Sequence, residues 1–380
     1  MEPRMSSQIK HLDLPLIDHH CHGIMRGDLT RSEFEILATE ADWPEPPGMT
    51  IFDSPFGVTV RAECAPLLGL PRHCSATDYW EARAALGQKE VAARLMPKTG
   101  ISTLVIDTGF RGTSILGLPE MSEVTGARVA EIVRLESVAE SLVGRTSAAS
   151  FADDFARELA DRAASAVGFK SIMAYRYGLD FDPKPPTPGE VSQAAGEWLS
   201  GVDTGRPRMN HPVLLRHILW AAVPHRMPIQ FHIGYGDSDI VLHRCDPTQM
   251  TGFIKATVDS GIQIMLLHCY PFIREAGFLA QVYPHVWLDT GAAVNYTGPS
   301  SQTLIRQAME LAPFAKVLFS SDAFGLPELY YCGTLLWRRG TAAILSEWVD
   351  ADKLGIDDAQ RYFQWMGRDN ALRAYDLRSI

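Results

Sequence analysis

The sequence is short of paired cysteines, long apolar runs and positive charge. Its six cysteines include no Cys-x-x-Cys pair, so neither a disulfide scaffold nor a cysteine-based zinc finger is expected, and reduced thiols suit the cytoplasm. The sequence contains no stretch of about 18 apolar residues, so no membrane span is predicted. Residues 1–13 lack the apolar core of a secretory signal. With 35 Lys and Arg against 45 Asp and Glu, the chain lacks the basic surface that nucleic acid or an anionic membrane requires.

What the sequence does have is a repeated alternation of short apolar runs and amphipathic stretches. The apolar runs have the length and the Val, Ile, Leu and Phe content of buried strands, and segments such as 147–166 and 299–312 predict helices between them. There are eight such runs: 15–22, 101–109, 127–136, 168–176, 228–236, 262–270, 285–291 and 316–324. Alternating strands and helices form parallel sheets. Eight units with no strand left over predict an α/β fold, a single (β/α)8 TIM barrel over residues 1–380.

Two longer segments interrupt this alternation. Residues 24–98 separate the first run from the second and include a predicted helix around 78–96. Residues 181–212 follow the fourth run. We therefore predict helical insertions after strands 1 and 4, both at the face where barrel active sites are built. The 24–98 insertion either closes over the site as a lid or is packed surface decoration, and the sequence leaves both open.

Four histidines and an aspartate stand near the carboxyl ends of the apolar runs. In a strand, residues i and i+2 share a face, so His20 and His22 can chelate one ion. His232 interrupts the fifth run, His268 closes the sixth, and Asp322 ends the eighth, where an unpaired buried carboxylate would be costly. A single histidine in a buried strand is more often a core residue whose ring nitrogens are hydrogen-bonded. Four histidines and an aspartate together predict a divalent metal site. Zinc suits this donor set best, although manganese or iron would also fit.

The order of these residues resembles that of the amidohydrolase superfamily of metal-dependent hydrolases. His-x-His lies on the first predicted strand, a histidine on the fifth and sixth, and an aspartate on the eighth. Segments 168–180, 266–291 and 316–328 are more closely similar to the amidohydrolase-related subgroup, in particular the amidohydrolase-like domain found in FluG and in nodulin/glutamine-synthetase fusions. The ending, 367–377, resembles the tail of these proteins. No glutamine synthetase half is expected, because the predicted barrel uses up the chain.

The resemblance implies one or two bound metal ions. His20 and His22 would hold the first ion together with Asp322. His232 and His268 would hold or flank the second position.

The resemblance also implies roles for a lysine and for the acid–base groups. Lys170, on the fourth strand, matches the lysine that is carbamylated in binuclear members, where the carbamate bridges both metals. An unmodified ammonium would repel a dication, so Lys170 either carries that modification or stands outside the metal site. Asp322 would take a proton from the attacking water and pass it to the leaving amine. Either His232 or His268, if it is not fully engaged with the metal, would instead stabilise the developing oxyanion.

Four further residues are predicted around this centre. Arg176 and Arg274 each follow a strand, and either can clamp a substrate carboxylate with its bidentate guanidinium or form a structural salt bridge. Tyr270 is expected to line the pocket. Asp18 shares a strand face with His20, and we expect it to orient an imidazole rather than to bind metal.

Together these features predict a hydrolase that cleaves the C–N bond of a small, carboxylated amide with a metal-activated water. The nearest alternative is a mononuclear zinc decarboxylase of the amidohydrolase-related type, which one metal and a free Lys170 would favour. A second alternative is a non-catalytic signalling or scaffold barrel, which would have degraded metal ligands. The expected partner is a small-molecule substrate, and an acidic barrel of this size suggests a homo-oligomer.

Overall fold

A parallel sheet of seven strands forms the centre of the computed structural model, which describes residues 14–110 and 112–377. Neighbouring strands in the sheet are consecutive in the sequence. The strands are β1 (Leu16–Cys21), β2 (Ile101–Asp107), β3 (Arg128–Arg134), β4 (Ala166–Ser171), β5 (Ile229–His232), β6 (Ile264–Leu267) and β7 (Val286–Leu288). Most of their side chains are buried, as expected for a parallel sheet covered on both faces. The prediction for residues 1–13 and the outer limits of the predicted domain lie outside the described residues.

The eighth predicted strand, 316–324, is an extended segment rather than a regular strand. Its Leu318 N–H donates to the Leu288 carbonyl of β7 at 2.9 Å, and its Asp322 N–H donates to the His20 carbonyl of β1 at 3.0 Å. The segment thus joins the two edges of the sheet, which makes the fold barrel-like. Among the described residues, the prediction of eight regular strands is corrected to seven. The segment forms an isolated bridge between Val317 and Leu288 rather than a ladder, and its backbone leaves the β region at Asp322, where φ is 49°.

Helices connect the strands and cover the sheet. They are α1 (Arg31–Leu37), α2 (Pro55–Thr59), α3 (Ala76–Leu95), α4 (Leu118–Thr125), α5 (Leu135–Glu140), α6 (Phe151–Ala163), α7 (Met173–Arg176), α8 (Pro188–Gly201), α9 (Pro212–Ala222), α10 (Thr251–Ala256), α11 (Ile273–Val282), α12 (Ala293–Thr297), α13 (Ser301–Leu311), α14 (Pro327–Asp350), α15 (Ile356–Gln364) and α16 (Asn370–Ala374). The predicted helices at 147–166 and 299–312 are confirmed as α6 and α13. Helix α6 buries Phe151, Phe155 and Leu159, spaced four residues apart on one face. Among the described helices, none is both long and apolar enough to cross a membrane.

The segment between β1 and β2 is helical and firmly packed. It contains α1 to α3, and its aromatic side chains Phe34 and Phe52 stack in a buried cluster. Arg83 of α3 forms a buried ion pair with Glu328 of α14, with Nε and Oε1 2.6 Å apart. These contacts anchor most of the segment to the body of the molecule, and a lid movement of residues 24–98 stays a prediction. The segment 181–212 contains α8.

Candidate active site

A cavity of ≈290 Å³ opens at the carboxyl ends of the strands. Residues at or just beyond the ends of β1, β4, β5 and β6 line its inner part, and loops from both long connecting segments line its mouth. The inner residues are His20, His22, Lys170, His232, His268 and Asp322. The structure therefore brings together all six residues that the sequence proposes for the metal site.

Three of these residues form a compact group of potential metal ligands. One ligand atom from each of His20, His268 and Asp322 lies within 4.8 Å of the others. Asp322 Oδ1 is 3.0 Å from His20 Nε2 and 3.7 Å from His22 Nε2, and Asp322 Oδ2 is 3.4 Å from His268 Nδ1. The buried His268 Nδ1 has no hydrogen-bond partner among the described residues. Imidazole nitrogens around one carboxylate suit a divalent ion, so the residues present fit a metal.

The charge state of the imidazoles also suits metal binding. Burial lowers the pKa of His20 and of His268 well below the usual value, and it lowers the pKa of His22 to about 4. All three rings are therefore neutral at neutral pH and keep a lone pair for a ligand. Burial raises the pKa of the Asp322 carboxyl, and the positive charge of Lys170 opposes this rise.

A hydrogen-bond chain fixes the orientation of His20. Gln230 on β5 donates its amide N–H groups to the His19 carbonyl at 2.8 Å and to the Tyr375 hydroxyl at 3.0 Å. Its Oε1 atom therefore accepts from His20 Nδ1, at 2.8 Å. The lone pair of His20 Nε2 is therefore directed towards Asp322. In metal sites, a hydrogen bond to the other ring nitrogen orients a histidine ligand in the same way.

Two buried carboxylates hold the bends that carry His268 and Asp322. Both residues have a left-handed backbone, with φ of 67° and 49°, which is uncommon outside glycine and tends to occur at functional sites. Asp289 accepts from the backbone N–H of His268 at 2.7 Å. Asp18 accepts from the backbone N–H of Ser321 at 2.9 Å and from its hydroxyl. Asp18 therefore positions the turn before Asp322, and not an imidazole as predicted.

Lys170 and His232 lie beside the three-residue group. Lys170 Nζ is 3.5 Å from His20 Nε2, and burial lowers its pKa to about 8. The ring of His232 is 4.8 Å from the ring of His268, and its Nε2 pairs with the Tyr235 carbonyl at 3.1 Å. The turn that brings the Tyr235 carbonyl back to His232 requires glycine at position 234. There φ is 79°, and a Cβ atom would lie 1.9 Å from the Tyr270 carbonyl oxygen.

Of the three predicted substrate-binding residues, only Arg176 lines the cavity. Arg274 lies on α11 with its side chain 64% exposed, and its Nε is paired with Glu310 of α13 at 2.7 Å. Tyr270 is largely outside the cavity, and its ring packs edge-on against Tyr235. Arg274 therefore forms the structural salt bridge, the second of the two roles that the sequence left open. The prediction that Tyr270 lines the pocket is wrong, because its side chain is 38% exposed and packs against Tyr235.

The structure adds cavity residues that the sequence analysis missed. These are Glu40, Phe110, Arg134, Ile172, Tyr175, Arg208, Asp237, Asp239 and Phe324. Arg134 ends β3, so the strand-end rule that found the histidines could have found it. Tyr175 follows β4 by one helical turn, and its ring centroid is 4.2 Å from that of His232. Ile172 and Phe324 lie within the fourth and eighth apolar runs, whereas the other residues lie in loops whose paths have no periodic signal.

Comparison with known proteins places this site in a family. The profile of the Amidohydrolase family matches residues 135–377, more than half of the chain. The match includes Lys170, His232, His268 and Asp322, whereas His20 and His22 precede it.

Individual relatives share most of the chain. Protein fluG of Emericella nidulans is 26% identical over 98% of this chain, which spans about half of that protein (47%). A structure from Lactobacillus casei, described as that of a metal-dependent hydrolase, is 27% identical with a TM-score of 0.86 and 98% coverage of both chains. A uronate isomerase from Bacillus halodurans shares the fold, at a TM-score of 0.65 and 14% identity over 96% of this chain and 94% of the other. The chain belongs to the amidohydrolase family.

Proposed function

We propose that this chain is a metal-dependent hydrolase that cleaves the C–N bond of a small amide. The observation that carries the proposal is the convergence of His20, His268 and Asp322, whose ligand atoms lie within 4.8 Å of one another at the base of the cavity. His22 is the fourth donor, 3.7 Å from Asp322. Zinc is the first choice of metal for imidazole and carboxylate ligands. The family match and the likeness to the Lactobacillus casei protein support the proposal.

Proton transfer in this reaction falls to Asp322. A divalent ion held by these donors would polarise the amide carbonyl and lower the pKa of a water molecule. The Asp322 carboxylate then accepts the proton of the attacking water and delivers it to the leaving nitrogen. Its position favours this role, because its carboxylate oxygens lie 3.0 Å from His20 Nε2 and 3.4 Å from His268 Nδ1, at the centre of the donor group.

We also propose that Lys170 is carbamylated. Burial lowers its pKa to about 8, so a neutral amine is accessible near neutral pH. The ammonium would lose one proton to give the amine. The amine nitrogen would then bond to the carbon of carbon dioxide as one C=O π bond opens, and it would lose a second proton, so that an anion replaces a cation beside His20, whose Nε2 lies 3.5 Å from Lys170 Nζ. The carbamate oxygens would then help to hold a second ion, together with His232 and His268.

The first experiment is metal analysis by elemental mass spectrometry, before and after reconstitution with zinc and bicarbonate, combined with an assay of amine release from a panel of small amides. About two ions per chain with amine release would support the proposal. One ion with release of carbon dioxide from aromatic acids would instead support the decarboxylase. No metal after reconstitution would contradict both enzymes and favour a scaffold role.

A pair of histidine variants tests the ligand assignment. His20→Ala is expected to lose the bound metal, because it removes a buried donor with a fixed lone pair. His243→Ala is the matched control, since His243 is exposed in the connection between β5 and α10. Full metal content in His20→Ala would refute the assignment.

The cellular setting is a further part of the proposal. All six cysteines are buried and free, which supports a reducing, cytoplasmic compartment. We also propose a homo-oligomer, which light scattering of the purified chain would test. A monomer at micromolar concentration would contradict it.

A further inference from the structure

Arg176 is a cation in the cavity wall with few partners. It ends α7, the single helical turn that follows β4, six residues after Lys170. Its side chain is 14% exposed, and its Nη2 lies 3.4 Å from Glu140 Oε1. Its Nε is buried and has no hydrogen-bond partner among the described residues. Burying N–H groups of a guanidinium without hydrogen-bond acceptors costs free energy, and a bound ligand that accepts from them would offset this cost.

The other cavity arginines are better satisfied. Arg134 donates twice to Asp107 Oδ2, at 3.1 and 2.6 Å. Arg208 donates to Asp239 at 2.9 Å and to the Tyr175 carbonyl at 3.3 Å.

Glu140, the carboxylate within hydrogen-bond distance of Arg176 among the described residues, is also engaged elsewhere. Glu140 accepts a 2.8 Å hydrogen bond from the backbone N–H of Met209 through the same oxygen that faces Arg176. Burial lowers the pKa of the Arg176 guanidinium. In contrast, the pKa of Arg134 is raised, because the attraction of Asp107 outweighs the effect of burial. The buried Nε of Arg176 therefore remains available to donate to an anionic ligand.

We propose that Arg176 binds a carboxylate of the substrate, so that the substrates are amides with one carboxylate at the end remote from the scissile bond. A planar guanidinium fork matches a carboxylate. Arg176 lines the same cavity as the metal-site residues, and the adjacent Tyr175 packs against His232. Glu40, Asp237 and Asp239 also line this cavity, and their negative charge would disfavour a polyanion. That the substrate is an amide rests on the proposed function.

Ligand binding tests this inference without relying on turnover. The probes are N-acetylated amino acids in which the carboxylate lies progressively farther from the amide, from N-acetylglycine to N-acetyl-aminohexanoate, each paired with its neutral methylamide. Affinities for the metal-loaded protein are measured by ligand-observed NMR. We expect the wild type to bind the carboxylate at least about tenfold more tightly than the methylamide at one or more chain lengths, since charge-assisted bidentate hydrogen bonds are strong.

Variants assign that preference to Arg176. Arg176→Met, which keeps much of the side-chain volume, should abolish the preference, and Arg176→Lys, which keeps the charge without the fork, should retain only part of it. Arg274→Met is the matched control, because Arg274 is an exposed arginine outside the cavity. Thermal melting of each variant checks that the fold is intact.

Two results would overturn the inference: no carboxylate preference in the wild type at any chain length, or an unchanged preference in Arg176→Met. Failure of the proposed function would look different. The carboxylates would still bind through Arg176, but no amine would be released from any probe.

Discussion

The base and the mouth of the cavity are built in different ways. We call the first group the floor, which consists of His20, His22, Lys170, His268 and Asp322. We call the second group the rim, which consists of Glu40, Arg208, Asp237 and Asp239. Floor side chains are at most 14% exposed, and hydrogen bonds from residues of β5 and β2 hold the rings of His20 and His22. The rim pair of Arg208 and Asp239 joins two loops, with side chains 43% and 48% exposed.

This difference suggests a division of labour. Chemistry requires fixed distances, which buried hydrogen bonds on strand ends provide. Recognition of different substrates requires a surface that can change without disturbing the fold, which loops provide. The floor should therefore control turnover and metal binding, and the rim should affect mainly substrate affinity.

The largest effect is expected for Asp322→Asn on the floor. The amide cannot accept the proton of the attacking water, so kcat should fall by about 10²–10⁴-fold. The measurement is kcat on the best amide of the panel, with metal content and circular dichroism recorded alongside. Turnover within tenfold of the wild type would remove Asp322 from the proton-transfer role.

The next largest effect is on stability. Asp289 is fully buried and accepts from His19 Nε2 at 2.7 Å, from the His268 N–H at 2.7 Å and from the Gly291 N–H at 2.8 Å. Asp289→Ala leaves these donors without an acceptor and should lower the free energy of unfolding by about 3–5 kcal/mol. Urea denaturation measures the change. Glu310→Ala, at an exposed carboxylate, is the control and should unfold like the wild type, and a similar loss in both variants would contradict the prediction.

The same division explains which residues the sequence could predict. Floor residues lie at the ends of apolar runs, and parallel strands bring those ends to one face of the sheet, so position in the run predicts position in space. Rim residues such as Glu40 depend on the path of a connecting segment, which no periodicity describes. For Arg274, a position after β6 is compatible with both a substrate contact and a structural salt bridge. The packing of α11 against α13, which brings Arg274 to Glu310, decides between them, and the sequence pattern does not describe this packing.

The hydrogen-bond layer beneath the floor gives the third prediction. Gln230→Leu removes the acceptor of His20 Nδ1 and should lower metal affinity by about 10–100-fold, because the ring loses its fixed orientation. Competition with a chromophoric chelator measures this affinity. Gln263→Leu is the matched control, since Gln263 accepts from the Trp287 indole away from the cavity. Equal metal affinity in Gln230→Leu and the wild type would show that the ring is oriented by other contacts.

The smallest effect is expected on the rim. Asp239→Asn weakens the pair with Arg208, but exposed ion pairs contribute little, and Arg208 keeps its hydrogen bond to the Tyr175 carbonyl. KM should change by no more than about threefold, with kcat and metal content unchanged, since the groups that handle the proton are untouched. Separate determination of kcat and KM on the best amide decides the matter. A fall in kcat approaching that of Asp322→Asn would mean that the rim closes onto the reacting atoms, and the floor and the rim would then have to be treated as one catalytic unit.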